Sequence, residues 1–166
     1  MLQQEFNFRS LMVQDEAGQY RLATGEEIVE AAIREINARF SRGTQIASPA
    51  ATHEYLRLKL AHREHEVFAV LWLDNRHRVI AFEELFRGTI DGASVHPREV
   101  VKSALLQNAA AAILCHNHPS GVAEPSQADR QITRRIQETL NLVDVRTLDH
   151  VIVAERSYSF AEHGLI

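Results

Sequence analysis

Two histidines one residue apart, His116 and His118, are followed by Ser126 and then by Asp129. Two imidazole nitrogens and a carboxylate oxygen suit a borderline divalent cation. Three such ligands with a water in the fourth position make the catalytic, open form of a tetrahedral Zn²⁺ site. On an extended segment His-x-His directs both rings to one side, because strand side chains repeat every second residue. The apolar run Ala109–Leu114 leads into His116 as a buried strand would. Asp129 sits where a new periodic stretch begins, so a helix start can carry its carboxylate back to the strand end. The chain has one cysteine, Cys115, which excludes a cysteine-rich structural zinc site.

The same residues have a plainer reading. Ser126-Gln127-Ala128-Asp129 is a capping-box variant, with serine accepting from a backbone N–H and an acid favoured near the positive helix end. His-x-His alone is weak in a chain with 9 histidines. The combination is stronger: strand end, stiff loop with Pro119, Gly121 and Pro125, then helix start, which limits the entropy lost on binding a metal.

The surrounding pattern supplies elements to hold these groups. Gly18 marks a turn between two short extended pieces, and Thr24-Gly25-Glu26-Glu27 is a capping box opening a helix with Ile28, Ala31, Ala32, Ile36 and Phe40 at helical spacing. Ser48-Pro49 opens a second helix whose apolar side is Tyr55, Leu56, Leu58 and Leu60. Val67–Leu73 is a continuous apolar run, the signature of a strand buried on both faces, and Val79–Leu85 returns as its neighbour. Gly88 and Gly92 bracket a loop, Pro97 opens a third helix, and a fourth runs from Ser126 to about Leu142. Val145–Ala154 is a long strand, with Tyr158–Phe160 pairing back onto it.

At 166 residues and 45% apolar content the chain can bury one sizeable core. A net charge of −4 argues against a generally nucleic-acid-binding surface, although a local basic patch is compatible with it. One cysteine, no membrane-length apolar stretch and no signal-peptide pattern point to a cytoplasmic protein.

His116-x-His118, Ser126 and Asp129 match the signature of the JAMM (MPN) metallopeptidases at full spacing. The wider text resembles the RadC branch of that superfamily: His96-Pro97-Arg98-Glu99, His116-Asn117-His118-Pro119-Ser120-Gly121, Pro125-Ser126 and Asp149-His150. The resemblance runs from about Ile46 to the C-terminus, dividing the chain into a 1–45 extension with one helix and a 46–166 domain. It implies a three-layer α/β/α fold with a mixed central sheet, a layout shared with cytidine deaminases. It further implies Zn²⁺ on His116, His118 and Asp129, a glutamate as general base and Ser126 as oxyanion donor. Glu66 is favoured as base, since an acid just ahead of an apolar strand lies at a strand end where a cleft forms; Glu83 and Glu84 on the next strand are the alternatives. His150 is either a group that orients the site or a satisfied structural histidine.

The implied activity is zinc-dependent hydrolysis of an amide or isopeptide bond in a protein or peptide substrate. The competing reading is a non-catalytic RadC-like scaffold associated with DNA repair or mobile elements. Direct DNA binding is disfavoured by the acidic charge and by the absence of a helix-hairpin-helix pattern, which RadC-type proteins often carry at the N-terminus. A nucleobase deaminase would need Pro-Cys-x-x-Cys, which one cysteine cannot supply. Edge strands leave homo-oligomerisation open.

Overall fold

The computed structural model describes residues 11–15, 17–46, 48–88 and 95–166. They divide into two compact units, residues 1–38 and 39–166. The first contains the hairpin β1 (Met12–Gln14) and β2 (Tyr20–Leu22), turning through Gly18 at φ +80°. It also contains most of α1 (Gly25–Arg39), whose capping box is formed: Thr24 N–H donates to Glu27 Oε2 at 2.8 Å and Glu27 N–H to Thr24 Oγ1 at 3.2 Å. No α1 residue is buried.

The second unit is built on a five-stranded sheet in the order β4-β3-β5-β6-β7. Its strands are β3 (Val67–Leu73), β4 (Val79–Arg87), β5 (Ala111–Asn117), β6 (Arg146–Val153) and β7 (Tyr158–Ser159). β5 runs antiparallel to β3 and parallel to β6, so the sheet is mixed. Every residue of β3 and β5 is buried, as unbroken apolar runs require when both faces are covered. One face carries Phe68, Val70, Trp72, Ala112 and Leu114 against α3 (Pro97–Leu106) and α4 (Gln127–Asn141), through Val100, Ala104, Ile136 and Leu140. The other face is covered by α2 (Pro49–Leu60), which buries Tyr55, Leu56 and Leu60 and is capped by Ser48. The result is the expected three-layer α/β fold. The loop expected between Gly88 and Gly92 falls largely outside the described residues.

Two details position the site. The pairing Phe68↔His116 sets the N-terminal end of β3 beside the C-terminal end of β5. The ladder ends at Phe68↔His116, so Glu66, two residues ahead of Phe68, and His118, two beyond His116, both lie just past the same end of the β3–β5 pair. Asn117, between the two histidines, accepts from Val67 N–H at 2.8 Å and donates to the carbonyls of His65 at 3.0 Å and Arg63 at 3.3 Å. One buried amide thus ties the segment carrying Glu66 to the end of β5.

Candidate metal centre

His116 is the next-to-last residue of the buried strand β5 and His118 follows the strand, its N–H held by the Val153 carbonyl at 2.9 Å. The two rings converge: His116 Nε2 lies 2.9 Å from His118 Nε2. Asp129, in the first turn of α4, comes back to meet them. Its Oδ1 is 3.3 Å from His116 Nε2, and its Oδ2 is 3.6 Å from His118 Nε2. His116 is the buried floor at 2% side-chain exposure, while His118 (16%) and Asp129 (14%) form a rim open to solvent.

The capping box is what delivers Asp129. Ser126 N–H and Oγ–H donate to Asp129 Oδ2 at 2.7 and 2.6 Å, and Asp129 N–H donates to Ser126 Oγ at 3.1 Å. Oδ2 is therefore occupied by the cap, and Oδ1 remains for a cation. Local helix chemistry and ligand presentation are one arrangement here.

Hydrogen bonds fix which nitrogens face inward. His118 Nδ1–H donates to the Val122 carbonyl at 2.7 Å, so Nε2 carries the lone pair. The turn permitting this bends at Gly121, whose φ of +82° suits a residue without Cβ. For His116 the assignment follows from a chain of donors. Thr133 Oγ1–H donates to the Asp129 carbonyl at 2.5 Å, so Thr133 Oγ1 must accept from His150 Nδ1–H, also at 2.5 Å. His150 is fully buried, and burial lowers its proton affinity well below that of an ordinary histidine, which keeps it neutral. Its Nε2 then accepts from His116 Nδ1–H at 2.8 Å. With both imidazoles neutral, the two Nε2 lone pairs and the carboxylate point at one another, an arrangement that a shared cation or a proton relieves.

The donor set fits zinc. Metal–ligand bonds of about 2.0–2.1 Å in a tetrahedron place ligand atoms about 3.3 Å apart, close to the 2.9 Å between the two Nε2 atoms and the 3.3 Å from His116 Nε2 to Asp129 Oδ1. Electrostatics agree. Burial raises the Asp129 carboxyl, but the imidazoles of His116 and His118 outweigh it and hold the group well below the usual carboxylate range. Its bond to Asp129 leads the effects that raise the His118 pKa, against burial, with the Glu66 charge contributing. Glu66 is half-buried immediately before β3 and within electrostatic range of His118.

The alternative glutamates are committed elsewhere. Glu83 accepts from Trp72 Nε1 at 2.9 Å, Gln107 Nε2 at 2.6 Å and Ser103 Oγ, joining β3 and β4 to α3. Glu84 pairs with Arg63 and, at 3.3 Å, with Arg87. Cys115 is buried on the opposite face and donates to the Ala69 carbonyl at 3.3 Å. His96 is the N-cap of α3 but makes no side-chain cap bond.

Thr133 and Asn117 are the contributors that sequence reasoning missed. Each left a faint trace: a threonine one helical turn beyond Asp129 on the buried side of α4, and an amide in a strand with no exposed face.

A mixed five-stranded sheet covered on both faces, with a His-x-His…Asp cluster at one end, defines an α/β domain of the JAB (JAMM/MPN) type. Residues 46–165 match the RadC-like JAB domain, and the chain belongs to that family. It is 57% identical to a UPF0758 protein of Thioalkalivibrio sulfidiphilus over 90% of this chain and 67% of the relative. It is 60% identical to a UPF0758 protein of Vibrio cholerae (82% of this chain, 87% of that one). It is 58% identical to one of Cellvibrio japonicus (84% and 62%), so it spans under two thirds of that longer relative.

Proposed function

We propose that this chain is a zinc-dependent hydrolase of amide or isopeptide bonds acting on a protein or peptide, with the metal on His116, His118 and Asp129. The observation that carries this reading is the pair of Nε2 lone pairs, locked toward Asp129 Oδ1 with a half-buried glutamate alongside. Zn²⁺ held there supplies a water acidified toward a pKa of ~7 and polarisation of the carbonyl under attack. Glu66 accepts the proton of the attacking water and returns it to the leaving amine, the role open to a carboxylate that is not itself a ligand. Ser126 is exposed at the start of α4; turning its O–H from Asp129 toward substrate lets it donate to the developing oxyanion. His150 and Thr133 keep His116 in the metal-binding tautomer.

A cytoplasmic location suits the single buried thiol. Among the described residues no helix is long and apolar enough to cross a membrane.

The test compares new peptide termini generated in a proteome by the zinc-loaded chain and by its Glu66→Gln variant. Turnover should fall by roughly 10²–10⁴ in Glu66→Gln, and Glu83→Gln or Glu84→Gln should leave it nearly unchanged. Equal cleavage by Glu66→Gln would remove Glu66 from the chemistry. No cleavage by the zinc-loaded chain would favour the RadC-like scaffold.

A further inference from the structure

On the face of the sheet covered by α2, a groove of about 710 Å³ runs between α2 and the β6–β7 turn, at the same end of the sheet as His116, whose partner on β6 is Ile152. Its polar walls are His53, Glu54 and Arg57 from the helix and Arg156 and Ser157 from the turn. The chain carries a net charge of −4, and among the described arginines of this unit Arg63, Arg78, Arg87 and Arg98 pair with carboxylates while Arg42, Arg76, Arg134 and Arg135 do not. Among the described residues Arg57 and Arg156 have no ion-pair or side-chain hydrogen-bond partner, although both face the same groove. Ser157 Oγ in the same wall is buried and unpaired. A buried hydroxyl left without a partner is destabilising, so a native structure that keeps one calls for an explanation.

The acids nearby do not cancel this field. Asp149 faces His53 at 3.8 Å, but its Oδ1 accepts from the His150 and Ala161 N–H groups and its Oδ2 from Ser159 Oγ. The nearby Asp149 carboxylate favours the charged form of His53 against the effect of burial, and the Glu162 charge adds to it. Glu54 is the one carboxylate lining the groove, against two guanidiniums and this imidazole. Two guanidinium forks, an imidazole N–H and a hydroxyl offer more donors than a two-oxygen carboxylate uses well, and they suit the three terminal oxygens of a phosphate.

We propose that the groove between α2 and the β6–β7 turn is a binding site for a phosphate-type oxyanion, held by Arg57 and Arg156 with His53 and Ser157 completing the donor set. No residue of the groove belongs to the metal centre, which lies on the opposite face at the same end of the sheet.

The test titrates inorganic phosphate into the zinc-loaded chain while following backbone amide resonances. Saturable shifts at Arg57, Arg156 and Ser157 are expected. Arg57→Gln and Arg156→Gln should each weaken binding about 10-fold or more, since each removes a charged donor. Arg156→Lys should recover part of the loss, because it restores charge without the fork. Both arginines are exposed, so these variants are expected to fold. Shifts confined to residues around His118 and Asp129 would show phosphate on the metal instead and overturn the proposal. Unchanged affinity in Arg57→Gln and Arg156→Gln, or tighter binding of acetate than of phosphate, would overturn it equally.

Discussion

At the residue scale the metal centre is a problem of tautomers as much as of ligands. Three donors close in sequence were legible because their types and spacing carry chemistry in themselves. What sets their protonation was not legible, because it arrives from elsewhere: His150 from β6, Thr133 from the buried side of α4, and the Val122 carbonyl from the loop. The role of His150, open on sequence grounds, follows from the parallel register that seats it opposite Leu114, two residues before His116 on the neighbouring strand. His150→Phe keeps an aromatic ring between Phe68 and Phe160 while removing the acceptor for His116 Nδ1–H. Zinc affinity should fall about 10- to 100-fold in that variant, with Thr133→Val giving a smaller loss in the same direction. Competition against a chelator of known affinity measures both, and wild-type affinity in His150→Phe would contradict the donor chain.

At the scale of elements, β3, β5, α2 and α4 were readable because period and caps agree with burial: unbroken apolar runs for the strands, Ser48-Pro49 and Ser126 for the helix starts. The placement of Glu66 was not, since it depends on the β3–β5 register and on Asn117 bonding back to the preceding loop. Asn117→Ala leaves the Val67 N–H and two carbonyls unpartnered in a buried place. The variant should lose about 1–3 kcal/mol of stability in denaturant melts, with faster exchange of the Val67 amide. Unaltered stability and exchange would show that other contacts hold Glu66.

In α1 the capping box formed as read, but periodicity specifies a face and not what covers it, and none of its residues is buried. The box still makes a pH prediction. The Glu27 carboxyl is held down to about 2, first by the Arg21 guanidinium and then by the Thr24 N–H, against the ordinary value of 4.5. A depressed carboxylate contributes stability that is fully present above the unfolded value and is lost as pH falls through the folded one. The contribution of this cap should therefore be intact above about pH 4.5 and fade toward pH 2. The Thr24 amide resonance, which senses Glu27 Oε2, should titrate with that low midpoint. A midpoint of 4.5 would mean that the bonds to Glu27 do not persist in solution.

At the scale of the molecule the fold is a platform with different chemistry on its two faces. The α4 side collects His116, His118 and Asp129 at one end of the sheet, with the Glu66 charge in range of His118, and the α2 side presents the arginine-lined groove. Composition indicated a single sizeable core, but total charge could not show that two arginines stand unpaired in one groove, because pairing is a property of the folded surface. The central claim is that the cluster is a zinc site, and the most direct measurement is metal content after purification and dialysis, by elemental analysis. The wild-type chain and Glu66→Gln should each retain one zinc per chain, because Glu66 is not a ligand. His118→Ala, which replaces a rim residue and spares the buried floor, should retain none. Stoichiometric zinc in His118→Ala, or none in the wild-type chain supplied with zinc, would contradict the account.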